Sequence, residues 1–93
     1  MSESQRRTAV VRIMNKRGLH ARAAAKIVEA AARFTSEITI THDGQEVNAR
    51  SIMGLMMLAA SLGTEVELRA EGPDSADALK AVVALIEAKF GEE

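Results

Sequence analysis

Apolar positions along the chain switch between a spacing of two and a spacing near four, and the switches mark seven elements. Thr8–Met14 is β-branched and apolar and predicts a first strand. From His20 to Phe34 the period becomes helical, with Ala24, Ile27, Val28 and Ala31 on one face and Arg22, Lys26, Glu29 and Arg33 on the other. Glu37–His42 alternates, Ile38 and Ile40 on one side and Glu37, Thr39 and Thr41 on the other, and predicts a second strand. Asp43-Gly44 is a two-residue hairpin signal leading into a short strand around Gln45–Ala49. Ser51 can cap a second helix of about three turns that Gly63 ends, with Leu55, Leu58, Ala59 and Leu62 toward the core. Glu65–Glu71 alternates again, with Val66, Leu68 and Ala70 inward. After the break at Gly72-Pro73-Asp74, either Asp74 or Ser75 caps a last helix to about Lys89, burying Leu79, Val82 and Ile86.

The order β-α-β-β-α-β-α, with one-sided strands and one-sided helices, predicts an α+β sandwich with one sheet face open to water. A ferredoxin-like sheet shares that order apart from the last helix, so the order alone leaves strand arrangement open. Ninety-three residues fit one domain, taken as 1–93. Twelve basic against thirteen acidic residues, with no Trp or Tyr, argue against nucleic acid as partner. The absence of cysteine removes disulfides, thiol nucleophiles and cysteine-bound zinc. Met1–Arg7 carries basic residues but no apolar run of signal length, and no stretch approaches a membrane span. A soluble cytoplasmic chain is expected.

Candidate chemistry concentrates in Asn15-Lys16-Arg17-Gly18-Leu19-His20-Ala21-Arg22-Ala23. A histidine stands after a glycine turn and at the start of a helix, where the first amides lack intrahelical acceptors and the dipole is positive. An imidazole there can take a phosphoryl group and have the new anion met by N–H donors and by Arg22. The plainer alternatives are that His20 only covers a helix end and that Arg22 is a solvated residue of the polar stripe. Lys16 and Arg17 add positive charge without an assigned role. His20 and His42 fall in different elements without neighbouring ligands, so no metal site is expected, and no cofactor.

The second helix opens with the uncharged run Ile52–Ala60. A helix packed on one sheet cannot bury every side, so Ile52, Met53 and Met56 are expected at the surface, where methionines suit more than one partner. A dimer interface is the competing use of such a face. A phosphate on Ser51 would be favoured by the helix start and would set about two negative charges beside that surface.

Three segments resemble the HPr family of phosphocarriers of the phosphoenolpyruvate-dependent phosphotransferase system: Gly18–Arg22, Phe34–Ile40 and Arg50–Met56. The resemblance covers nearly the whole chain. It implies an open-faced β-sandwich, four antiparallel strands covered on one face by three helices. It implies that His20 accepts the phosphoryl group through Nδ1 with Arg22 as phosphate partner. Ser51 would be the regulatory site of HPr kinase/phosphorylase. Ile52, Met53 and Met56 would dock that kinase, enzyme I and IIA-type proteins. The protein would carry phosphoryl groups and be a substrate of enzymes, with no membrane or nucleic-acid partner. A carrier that offers one face to several partners need not self-associate, and a monomer is expected.

Ala23 departs from the family's usual proline, a substitution similar to the branch linked to nitrogen and regulatory phosphotransfer. Alanine adds a backbone donor that proline lacks and relaxes the turn. Two other readings compete: a regulatory binding module switched at Ser51 with His20 idle, and a ferredoxin-like domain binding a small molecule or RNA. The tail Gly91-Glu92-Glu93 suggests no role.

Overall fold

A computed structural model describes residues 5–92, so Met1–Ser4 of the segment read for a signal sequence, and Glu93 of the tail, lie outside it. The elements are β1 (Arg6–Arg12), α1 (Ala21–Ala31), β2 (Glu37–His42), β3 (Gln45–Asn48), α2 (Ile52–Met57), β4 (Glu65–Glu71) and α3 (Ser75–Glu87), followed by a 3-10 turn at Lys89–Gly91. The sheet runs β1-β4-β2-β3 and every pairing is antiparallel. A ferredoxin-like sheet centres its first and third strands; here β4 and β2 lie inside, and β1 and β3 form the edges.

Alternation sends Ile38, Ile40, Val66, Leu68 and Ala70 to one face, where Ile27 of α1, Leu55 of α2, and Val82 and Ile86 of α3 join them in a single core. The opposite face is polar apart from exposed Val10, and β1 is tied to β4 at both ends by Arg6–Glu71 and Arg12–Glu65 ion pairs. Exposed pairs of this kind contribute at most about 1 kcal/mol each.

Several boundaries differ from the sequence expectation. β1 starts two residues earlier and ends at Arg12 rather than Met14. Its start is extended by pairing of Arg6 and Arg7 with Glu71 and Ala70, and at its end Ile13 instead exchanges hydrogen bonds with the turn at Gly63 and Thr64. α1 stops at Ala31, where the backbone tightens: the Arg33 amide donates to the Ala30 carbonyl and the Phe34 amide to the Ala31 carbonyl. The Arg50 guanidinium donates to the carbonyls of Ala31 (3.2 Å) and Phe34 (2.5 Å), satisfying the helix end from across the fold. α2 is six residues long, not three turns. Ala59, at φ 53°, turns the chain away before Gly63 is reached. In consequence Ala59 and Leu62, expected in the core, are exposed, and Ala60 is buried in their place.

Asp74 stands before α3 but makes no side-chain bond to that helix. Its carboxylate instead accepts from the Thr35 amide (2.9 Å), the Ser36 amide (2.8 Å) and the Ser36 hydroxyl (2.6 Å), fastening the start of α3 to the entry of β2. The Ser36 hydroxyl, with the two amides, outweighs partial desolvation and holds the Asp74 carboxyl below its ordinary value. A depressed carboxyl pKa stabilises the fold above the unfolded-state value, and that contribution disappears as pH falls through the folded-state value. Asp74→Asn is therefore expected to lower Tm near neutral pH, with the gap to the parent chain narrowing under acid. Thermal melts across a pH series check this; a gap independent of pH contradicts it.

Candidate functional site

Gly18 sits in the left-handed region at φ 64°, and a Cβ placed there would lie 2.5 Å from the Ala60 carbonyl oxygen and 2.9 Å from the Ser61 Cα. Only glycine tolerates both the dihedral and the contact. The Leu19 amide donates to that same Ala60 carbonyl at 3.0 Å, so the loop after β1 is pinned to the chain following α2. Beneath it, buried Asn15 donates from Nδ2 to the Gly18 carbonyl at 2.9 Å.

The pinned loop delivers His20 to the N-cap of α1 in extended conformation, with no capping bond from its side chain. The helix ladder begins with the Ala24 amide donating to the His20 carbonyl at 2.9 Å. The amides of Ala21, Arg22 and Ala23 find no acceptor among the described residues. Ala23 is fully buried, so the donor that alanine supplies at position 23 is closed off, and the open N–H groups at the mouth of the helix are those of exposed Ala21 and Arg22. Arg22, in the first turn, is exposed and has no hydrogen-bond or ion-pair partner among the described residues. Its guanidinium remains available to an incoming anion.

The His20 ring is mostly covered, and its Nε2 pairs with a carboxylate oxygen of Glu92 from the far end of the chain. The other Glu92 oxygen accepts from Asn15 Nδ2 at 3.1 Å. Desolvation works to raise the Glu92 carboxyl, yet the hydrogen bonds from His20 and Asn15, with the charges of His20 and Arg17, prevail and hold it below the ordinary value. Composition gave no signal for this contact, which spans 72 residues of sequence and involves the tail that suggested no role.

Ser51 takes up its expected place as N-cap of α2, its Oγ accepting from the Gly54 amide at 3.0 Å. Glycine at 54 leaves room for that approach: a Cβ there would stand 3.1 Å from the hydroxyl. Ile52 and Met56 are each 41% exposed and Met53 is 69% exposed. Met57 and Leu62, not anticipated at the surface, are exposed as well. His42 lies in β2, with its ring 3.4 Å from the Glu65 carbonyl, apart from His20. No group of three potential ligands able to hold a metal occurs among the described residues.

An open-faced four-stranded sheet with its helices on one side, and a histidine at the opening of α1, places the chain among small phosphocarrier domains. The family model described as the PTS HPr component phosphorylation site matches residues 7–88. The phosphocarrier protein HPr of Cupriavidus necator is 50% identical over 80 residues, covering 86% of this chain and 90% of that protein. The crystal structure of HPr-C-His from Thermoanaerobacter tengcongensis superposes with a TM-score of 0.90 at 52% identity, covering 94% of this chain and 98% of that one. Crh, the catabolite-repression protein of Bacillus subtilis, crystallised as a domain-swapped dimer, matches at 49% identity and a TM-score of 0.73, covering 85% of this chain and 91% of that one. The chain belongs to the HPr family, phosphocarrier proteins of the bacterial phosphotransferase system, and is a carrier of phosphoryl groups rather than a catalyst.

The turn that aims His20 generates a direct test. Gly18→Ala is expected to cost on the order of 1–3 kcal/mol from the dihedral alone, with the Ala60 clash added. Urea denaturation measures it; a loss of less than about half a kcal/mol contradicts the pinned turn.

Proposed function

We propose that His20 accepts a phosphoryl group on Nδ1 from phosphorylated enzyme I and passes it to an IIA-type protein. What supports the reading is an imidazole at a helix start where the amides of exposed Ala21 and Arg22 are unspent, with the Arg22 guanidinium uncommitted beside them. The Nδ1 lone pair forms the new N–P bond while the donor's bond to phosphorus breaks and keeps its electron pair. The arriving oxygens meet amide hydrogens and a guanidinium, which stabilise negative charge without reorganisation. An N-phosphorylated imidazole remains a good leaving group, so the group can move on.

In this reading the chain works as one HPr domain, as a monomer in the cytoplasm, and its exposed Ile52, Met53 and Met56 form the surface that enzyme I and the IIA protein share. Ser51 is the site of HPr kinase/phosphorylase. A phosphate there would gain from the start of α2 and would set about two negative charges beside those apolar side chains, weakening docking.

A second reading, a regulatory module switched at Ser51 with His20 idle, draws on the similarity to Crh. The two separate cleanly. With enzyme I and phosphoenolpyruvate, the carrier reading expects one acid-labile phosphoryl mass increment, abolished by His20→Ala and formed roughly tenfold or more slowly in Arg22→Ala. Label persisting in His20→Ala overturns it. With ATP and the kinase, an acid-stable increment lost in Ser51→Ala is expected; acid-stable label alone, with no transfer to His20, favours the regulatory module.

A further inference from the structure

The ring of His20 is held by a segment with no assigned part in phosphotransfer. After α3 the chain reverses through Lys89 and Phe90, both in the left-handed region at φ 58° and 57°. Non-glycine residues enter that region at a cost, so something must hold them there. Phe90 is buried in the core, and its carbonyl accepts from Lys26 Nζ at 2.6 Å. Gly91, at φ 77°, then turns Glu92 back over the start of α1. The Glu92 carboxylate closes on His20 Nε2 with one oxygen and on Asn15 Nδ2 with the other. Asn15 is itself fixed by its bond to the Gly18 carbonyl. The tail is therefore clamped by a buried ring, a lysine and an asparagine before it reaches the imidazole.

The geometry points to Glu92 as a positioning residue for phosphoryl transfer: by accepting the Nε2 proton of His20 it leaves the Nδ1 lone pair as nucleophile, and it balances the positive ring formed once Nδ1 carries phosphorus. A carboxylate behind an imidazole fixes which nitrogen bears the proton and steadies the ring orientation. The bookkeeping closes. The proton stays on Nε2 throughout, Nδ1 supplies the electron pair for the N–P bond, and the donor's leaving atom departs with its own pair. The ring is then a phosphorylated imidazolium facing a carboxylate, and loss of phosphate from it returns the neutral ring with its Nε2 proton in place. The depressed Glu92 carboxyl keeps this partner ionised. Charged side chains contributed by the surrounding elements are Arg17 from the loop, Arg22 and Lys26 from α1, and Glu92 from the tail.

The inference rests on His20 being the phosphoryl acceptor, and the test separates the two. In the unphosphorylated full chain, nitrogen-15 NMR at alkaline pH is expected to show a His20 Nε2 proton protected from solvent exchange, absent in Glu92→Ala. After phosphorylation, the pH midpoint for loss of the phosphoryl group is expected to fall by on the order of one unit in Glu92→Ala, because the ring cation loses its counter-charge. Glu92→Gln, which keeps an acceptor oxygen but no charge, moves the midpoint the same way. A protected proton that survives Glu92→Ala overturns the inference, and so does a midpoint unmoved in both variants. A parent chain that takes up no phosphoryl group contradicts the carrier reading instead, and the protected proton then decides alone whether Glu92 holds the ring.

Discussion

One close approach organises this molecule: the backbone of Gly18 against the carbonyl of Ala60, where no side chain fits. It requires a left-handed residue without a Cβ, and it brings the loop after β1 within hydrogen-bonding reach of the chain after α2. With that contact made, Leu19 is buried and His20 has no choice but to enter α1 as its first, non-helical residue. The place of the histidine at the mouth of a dipole is thus set by a steric fact two residues earlier and by a partner some forty residues later in sequence.

The division of labour that follows suits a carrier. The sheet and the inner stripes of the helices supply stability through ordinary apolar packing. The amides of exposed Ala21 and Arg22 are left unspent at the start of α1, where water can satisfy them until an anion arrives. The apolar side chains of α2 remain at the surface although burying them would add stability. Ser51 lies where a modification would alter that face while leaving the fold's core untouched.

Elements governed by local alternation were legible in the sequence. β2 and β4 run from Glu37 to His42 and from Glu65 to Glu71 as expected, since their period of two admits one register against the helices. The Asp43-Gly44 turn, with both residues at positive φ, follows from its composition. Ser51 as N-cap of α2 was also readable, because capping chemistry is local, and the start of α1 at His20 was readable from the glycine turn before it and the helical period after it. The premature end of α2 was not. Ala59 carries no signature for a left-handed turn, and it adopts one because Ala60, Gly63 and Thr64 are drawn into pairing with Ile13 and Leu19. The Arg50 bonds that satisfy the end of α1 and the Asp74 clamp on Ser36 are equally non-local, as is the approach of Glu92 to His20. Each depends on which surfaces the finished fold brings together, which residue spacing does not encode.

Central to the proposed carrier chemistry is transfer to Nδ1, not Nε2, of His20. It is tested most directly by the nitrogen-15 spectrum of the chain after exposure to enzyme I and phosphoenolpyruvate. A one-bond coupling to phosphorus on Nδ1, with the proton retained on Nε2, is the predicted result. Coupling on Nε2, or phosphorus attached to any other residue in place of His20, would contradict it.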